Sequence, residues 1–379
     1  MVVNLPCTVQ QMSKKWDITA RRVSKLCEEG RIEGVERFGN SWMIPGNAPK
    51  PEDGRQRSDF DVKGGARPFI KWAGGKGQLL ETIRTYYPEG FGKEITKYAE
   101  PFIGGGAVLF DILNKYGNSL DKVYISDVNR ELIDTYTAIK EEPNVLIEEL
   151  KILQREHINK SIDERKTFYL KNRAIYNEEM VKPSRDRIII ASELIYLNKT
   201  CFNGLYRVNS KGLFNVPSGV YKNPMICDEM NIVQVSQKLQ NVIIKNADYK
   251  ESYSFIDENT FAYFDPPYRP LTASSNFTSY TEMSFDDDNQ KELAEYVHKL
   301  SNRGAKIAVS NSDPKNVDEK DNFFDDIYNF ATVNRVQATR MINSKSSGRG
   351  KISEILVTNY PKQRKKPVSI LEEFDRTGF

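Results

Sequence analysis

An α/β fold is predicted for most of this 379-residue chain, with a helical insertion and a small separate module in front. Three observations predict it. From Arg67 onward, apolar runs of strand length alternate with helical stretches, the pattern of a sheet covered by helices. Residues 145–240 break that alternation, being more helical, more basic and richer in polar loops. Residues 47–66 are rich in Pro, Gly and charge and carry no apolar period, so they read as a linker behind a module at 1–46.

Within that module, Thr8 is placed to cap a helix through Gln10-Gln11-Met12. Trp16-Asp17-Ile18 makes a turn, and Thr19 caps a second helix over Ala20–Cys27. Val35–Ile44 reads as a hairpin with Gly39-Asn40 at its tip. Two helices and a β-wing resemble the winged helix–turn–helix modules of excisionases and MerR-type regulators. The resemblance implies DNA contact by Arg21, Arg22 and Lys25. The same residues also suit docking on protein or a solvated charged face.

The larger unit follows in order. Lys97–Phe102 reads as a strand leading into Gly104-Gly105-Gly106, and Ala107–Leu113 as the helix after it. Val123–Asp127 is a second strand and Glu131–Lys140 a helix. After the insertion come strands at Val242–Ile244, Phe261–Phe264 and Lys306–Ser310. The sheet domain thus takes residues 67–144 and 241–361, and residues 362–379 form a basic tail.

Composition excludes some classes. With 39% hydrophobic and 28% charged residues the chain is an ordinary globular sequence, and no apolar run is long enough to span a bilayer. No signal-peptide pattern opens it, so neither membrane nor export is expected. Its four cysteines lack C-x-x-C spacing and it has two histidines, so no metal site is expected and reduced thiols in a cytoplasm are the simple reading. A net charge of +3 is too small to argue for nucleic acid, which leaves local clusters to decide.

Strand, triple glycine, helix, strand and then Asp127 is Rossmann-like in layout. Glycines admit a ligand to the backbone, the helix N-terminus favours an anion, and an acid about twenty residues on can hold ribose hydroxyls. Tight packing alone also explains such a turn. Upstream, Phe69–Gly77 (FIKWAGGKG) superficially suggests a phosphate loop but fails it, since Ile70 stands where the first glycine belongs and Gly77 follows Lys76. Downstream, Asp265-Pro266-Pro267-Tyr268 ends an apolar strand. It sets a carboxylate, a stiff carbonyl-rich turn and an aromatic ring where open sheets bind ligands. Asp265 can accept one hydrogen of an exocyclic amine, the Pro266 carbonyl the other, and Tyr268 can stack on the base. A strand-ending turn with an N-terminal acid is the plainer reading. Asp248, after the strand at 242–246, is placed either to bond an adenine amine or to cap a helix.

Seven segments in one order resemble the Dam-type (α-class) DNA adenine-N6 methyltransferases: Phe69–Leu80, Ala99–Phe110, Ser126–Asn129, Asn198–Gly219, Phe264–Tyr268, Ser310–Asp313 and Ala338–Tyr360. They cover residues 67–361. The resemblance implies S-adenosylmethionine as cofactor, contacted by Trp72, Lys76, Glu100, Phe102, Gly104, Gly106, Asp127, Asp248 and Asp265. It implies methyl transfer to N6 of an adenine flipped from double-stranded DNA, with Asp265, Pro266 and Tyr268 at the chemistry. It makes the insertion a target-recognition domain in which Lys199, Asn203, Arg207, Asn209 and Lys211 meet DNA, while Arg340 and the loop Lys345–Lys351 either grip the DNA or close over the site. A solvated basic hairpin is the plain alternative for that stretch. The resemblance further suggests GATC as the site, with or without a cognate restriction endonuclease. Methylation of RNA or of a protein amide is a competing reading, which Asp265 in place of Asn disfavours. A DNA-binding regulator with an inactive methylase fold is another, which the intact Asp265–Tyr268 and Gly104–Gly106 disfavour.

Overall fold

The computed structural model describes residues 6–16, 18–39, 41–51, 65–271, 285–339 and 351–362. The chain forms two compact units, Met1–Asp59 and Phe60–Phe379.

In the first unit, strand β1 (Cys7–Thr8) runs into helix α1 (Val9–Trp16). Thr8 and Gln11 cap the helix reciprocally: the Gln11 N–H donates to Thr8 Oγ1 at 3.3 Å and the Thr8 N–H to Gln11 Oε1 at 2.8 Å. Helix α2 (Ala20–Glu28) starts at Thr19, whose hydroxyl accepts the Arg22 N–H. Strands β2 (Glu36–Phe38) and β3 (Ser41–Ile44) form the expected hairpin, and β1 adds to the far edge of β3. Met12, Trp16, Val23, Leu26 and Ile44 close a core belonging to this unit alone. Arg21 and Lys25 stand exposed on α2 and Arg22 is half-buried. Asp17 of the expected turn, Asn40 of the hairpin tip and most of the expected linker lie outside the described residues, as does the tail from residue 363.

The second unit is built on seven strands. They are β4 (Lys97–Glu100), β5 (Lys122–Asp127), β6 (Val242–Asn246), β7 (Thr260–Phe264), β8 (Lys306–Ser312), β9 (Thr332–Thr339) and β10 (Lys351–Thr358). Their order is β6-β5-β4-β7-β8-β10-β9. The first five run parallel, and β10 is antiparallel to both neighbours. The central strands feed both faces by alternation. Tyr98, Phe261, Tyr263 and Leu356 enter one core, while Ala99, Ala262, Phe264, Ile355 and Val357 enter the other.

The first core is covered by helices α4 (Ala107–Tyr116), α5 (Arg130–Glu141), α6 (Pro143–Ile158), α7 (Ile162–Met180), α8 (Arg187–Thr200) and α9 (Glu229–Leu239), after a short α3 (Leu80–Arg84). The second lies under α10 (Asp287–Asn302) and α11 (Phe323–Ile327). Residues 145–240 are helical as expected, yet their Leu146, Tyr169, Leu194 and Ile232 belong to the same cluster as Tyr98 and Phe261. The insertion therefore completes one face of the sheet domain's core.

Strand order turns around between β4 and β7: the chain proceeds outward from β4 to β5 and β6 on one side, and from β7 to β8 on the other. The carboxyl ends of a parallel sheet open a crevice at such a point. Glu100 ends β4 there with the glycine turn behind it, and Asp265 follows β7.

Candidate active site

β4 stops at Glu100 because Pro101 cannot extend the ladder, so the expected strand is two residues shorter. The chain then turns through Gly104 (φ 45°) to Gly106, the N-cap of α4. Gly104 is needed on two counts. Its φ is left-handed, and a Cβ there would lie 2.9 Å from Trp72 Cδ1. Packing against Trp72 thus explains one glycine of the turn. Both backbone groups of Gly104 are fixed: its N–H donates to Asp127 Oδ2 at 3.1 Å, and its carbonyl accepts the Tyr136 hydroxyl at 3.1 Å. Asp127, at the end of β5, also takes the Asn129 N–H on Oδ1 at 2.9 Å. Burial raises its pKa, opposed by those N–H groups. Each carboxylate oxygen has two acceptor sites, so capacity remains for ribose hydroxyls.

Lys76 opens a short 3₁₀ turn, Lys76–Gln78, and is only 5% exposed. Its Nζ donates to the Gly74 carbonyl at 2.6 Å, lies 2.7 Å from Asp265 Oδ1 and sits 4.6 Å from the Tyr268 ring centre. Asp265 Oδ1 is buried against the Lys76 ammonium, and a carboxylate oxygen so paired keeps a second acceptor site. Burial pushes the Asp265 pKa up to about 6 against the pull of Lys76. Glu100 lies deeper. Burial holds its carboxyl well above the usual range while the Tyr98 hydroxyl donates to it at 2.6 Å. Phe102 stacks on Tyr249 at 5.4 Å between ring centres.

The turn after Asp265 is anchored at every residue but one. Pro266 is buried and Pro267 exposed; the Pro267 carbonyl accepts from Gln290 at 2.9 Å. The Tyr268 hydroxyl donates to Glu354 of β10 at 2.7 Å, and the Arg269 N–H donates to Asn311 of β8 at 3.0 Å. The Arg269 guanidinium reaches both Asp287 and Asp321 at 2.7 Å. Asp248 makes the helix cap, its Oδ1 accepting the Lys250 N–H at 3.0 Å, and stays exposed.

Beyond α8 the chain makes a polar hairpin, bridged at Cys201–Ser218 and Val208–Phe214. Asn203 (φ 57°), Arg207 and Lys211 are exposed on it. Arg207 Nε donates to Asn215 Oδ1 at 2.7 Å. Asn209 Oδ1 staples the tip by accepting the Lys211 and Leu213 N–H groups. Lys199 is only half-exposed at the end of α8, where burial lowers its pKa to about 8. Arg340 and residues 345–350 lie outside the described residues.

Residues 72–342 match the family described as D12 class N6 adenine-specific DNA methyltransferase. The chain belongs to that family. It is 47% identical over 296 residues to the Type II methyltransferase M.MjaIII of Methanocaldococcus jannaschii, covering 78% of this chain and 99% of that one. Type II methyltransferase M1.LlaDCHI of Lactococcus lactis is 39% identical over 78% of this chain and 95% of its own. The DNA adenine methylase of Escherichia coli K12 is 32% identical over 78% and 96%.

The chain is thus an adenine DNA methyltransferase, whose family takes its methyl group from S-adenosylmethionine. Among the described residues there is no cluster of three metal-ligating side chains and no helix long and apolar enough to cross a membrane.

Sequence reasoning missed several residues that hold this methyltransferase's site together. Glu354, Gln290 and Asn311 fix the Asp265 turn from distant elements, and Asn198 and Tyr206 fix the Trp72 loop. Asn198, Tyr206, Asn311 and Glu354 sat inside segments that carried the family resemblance, which was the available signal, and Gln290 sat outside them.

Asp127→Ala removes the acceptor that orders both the glycine turn and Asn129. S-adenosylmethionine affinity is expected to fall by about 1.5–3 kcal/mol, the range for a hydrogen bond to a charged group. Calorimetry of the folded variant checks this, and unchanged affinity would remove Asp127 from the cofactor site.

Proposed function

We propose that this enzyme methylates N6 of an adenine flipped out of duplex DNA, using the crevice between β4 and β7, and that its site is GATC. The carrying observation is that Asp265 presents a buried carboxylate, paired with Lys76, at the strand-order reversal, beside a glycine turn and Asp127. S-adenosylmethionine, when bound, supplies a sulfonium-activated methyl group.

The protein's work is then positional and electrostatic. Trp72, Phe102, Gly104, Gly106 and Asp127 hold the nucleoside part, with Asp248 available to the adenine amine. Lys76 and the N-terminus of α4 favour the methionine carboxylate. Asp265 and the Pro266 carbonyl accept the two N6 hydrogens of the target base, which favours a more tetrahedral, more nucleophilic nitrogen. Tyr268, held by Glu354, stacks on the base. The exposed hairpin residues Asn203, Arg207 and Lys211, with Asn209 and Lys199, meet DNA; the stretch Tyr206–Asn215 supports GATC. Residues 145–240 serve as the recognition domain, in a cytoplasmic enzyme that acts either beside a restriction endonuclease of the same specificity or alone.

The test is methylome sequencing of a methylation-deficient host expressing the chain. Modified adenine within GATC supports the proposal. Modified adenine elsewhere overturns the site, and unmodified DNA overturns the activity.

The first unit supports a separate DNA-binding role, with Arg21, Arg22 and Lys25 on α2 as the contacts. Because it has its own core, deletion of residues 1–55 should leave methyl transfer intact and should weaken salt-dependent duplex binding. A folded truncation without activity would refute this division of labour.

A further inference from the structure

The Trp72 loop is clamped to the DNA-facing hairpin by one buried amide. Asn198, in the last turn of α8, is 2% exposed. Its Oδ1 accepts the Lys71 N–H at 2.8 Å, and its Nδ2 donates to the Lys71 carbonyl at 2.8 Å and to the Gly204 carbonyl at 3.0 Å. Both amide protons and the amide oxygen are therefore used. One side chain joins residue 71, next to Trp72, to the turn that starts the hairpin.

Two further contacts run along the same seam. Gly204 (φ 65°) lies so near the Lys71 side chain that a Cβ there would stand 2.5 Å from Lys71 Cδ. Tyr206 stacks on Trp72 with ring centres 5.2 Å apart and planes 30° from parallel. Trp72 in turn packs on Gly104, whose N–H is held by Asp127. The contact chain is continuous from the hairpin to the nucleoside end of the cofactor cradle.

We propose that Asn198 is a positioning residue that, with the Tyr206–Trp72 stack, couples DNA engagement by the hairpin to the grip on the cofactor. This rests on the assignment of the hairpin to DNA and of the Trp72–Asp127 cradle to S-adenosylmethionine. A hairpin ordered on DNA fixes Gly204 and Tyr206. Through the Asn198 clamp and the ring stack it then fixes Lys71 and Trp72, so ordering of the loop is shared between the two ligands. Such coupling is reciprocal, so each ligand tightens the other by the same factor.

The probe is S-adenosylhomocysteine, which carries no methyl group to transfer. Its dissociation constant is measured by calorimetry with and without a duplex that the wild-type enzyme methylates. In the wild type the duplex should tighten it by about 5-fold or more, within the usual range of coupling between sites. In Asn198→Ala and, independently, Tyr206→Leu the ratio should fall to about one. Tyr206→Phe keeps the ring and should restore it.

A merely structural role would weaken each ligand alone or lower the melting temperature, which is measured in parallel, and would leave the ratio standing. Tyr206→Leu keeps the test alive if Asn198→Ala does not fold. Folded variants that keep the wild-type ratio overturn the proposal, and so does a wild-type ratio of one. A wild type that binds neither ligand overturns instead the functional assignment beneath it.

Discussion

Asp265→Ala is expected to lower kcat by about two orders of magnitude or more, the scale of losing one pre-organised electrostatic partner in a desolvated site. In the proposed mechanism Asp265 accepts an N6 hydrogen, and that bond strengthens as positive charge develops on nitrogen. DNA affinity should fall much less, because phosphate contacts made elsewhere dominate it. Alanine also strands Lys76, which lies 2.7 Å from Asp265. Asp265→Asn is therefore the control, since it keeps the shape and one acceptor while removing the charge. Tyr268→Ala should behave differently, weakening capture of the flipped base by roughly 1–3 kcal/mol of lost stacking. Single-turnover methylation reports chemistry, and 2-aminopurine fluorescence at the target position reports flipping. An Asp265→Ala enzyme that methylates at the wild-type rate under single turnover would sink the mechanism.

The parts of this site readable in the sequence are those whose meaning is local. A strand that ends in Asp-Pro-Pro-Tyr, a glycine turn before an apolar helix and an acid at the next strand end each carry their own backbone logic. The backbone part of that logic held: β4, β5 and β7 deliver all three to the carboxyl ends of adjacent parallel strands. What stayed hidden depends on partners far apart in sequence. Glu354 reaches Tyr268 from 86 residues away, and Gln290 reaches Pro267 from 23. No periodicity announces either pair. The insertion shows the same limit. Its helices were legible from their pattern, but their sharing of a core with Tyr98 and Phe261 is a tertiary fact.

Asp127 shows a third case. Read alone it is a ribose acceptor, whereas in the fold its first task is to cap the Gly104 and Asn129 N–H groups.

Lys76→Met should move the acid limb of the methylation rate toward higher pH. Burial already raises the Asp265 pKa from 3.8 to about 6, and Lys76 is the principal group opposing that rise. Without the ammonium, desolvation acts unopposed and the carboxyl stays protonated further up the pH scale. On the acid side of the profile, raising that pKa by about one lowers the ionised fraction of Asp265 about tenfold. Stability follows the same group with a definite sign. A carboxyl whose folded pKa lies above its unfolded value stabilises most below the unfolded value and loses that contribution as pH rises through the folded one. Between about pH 4 and pH 6 Asp265 contributes alike in both proteins. Above about pH 6 the wild type has finished losing the contribution, whereas the variant goes on losing it to its own higher pKa. The melting-temperature gap between wild type and Lys76→Met should therefore widen from about pH 5 to about pH 8. Removing one partner of a buried pair costs on the order of 3–5 kcal/mol when the remaining charge stays buried. Here protonation of Asp265 relieves most of that cost at the lower pH and less of it at the higher. Thermal melts at the two pH values, with single-turnover rates from about pH 5.5 to about pH 9, test both halves. An unchanged acid limb together with an equal gap at both pH values would show that Lys76 does not set the charge of Asp265.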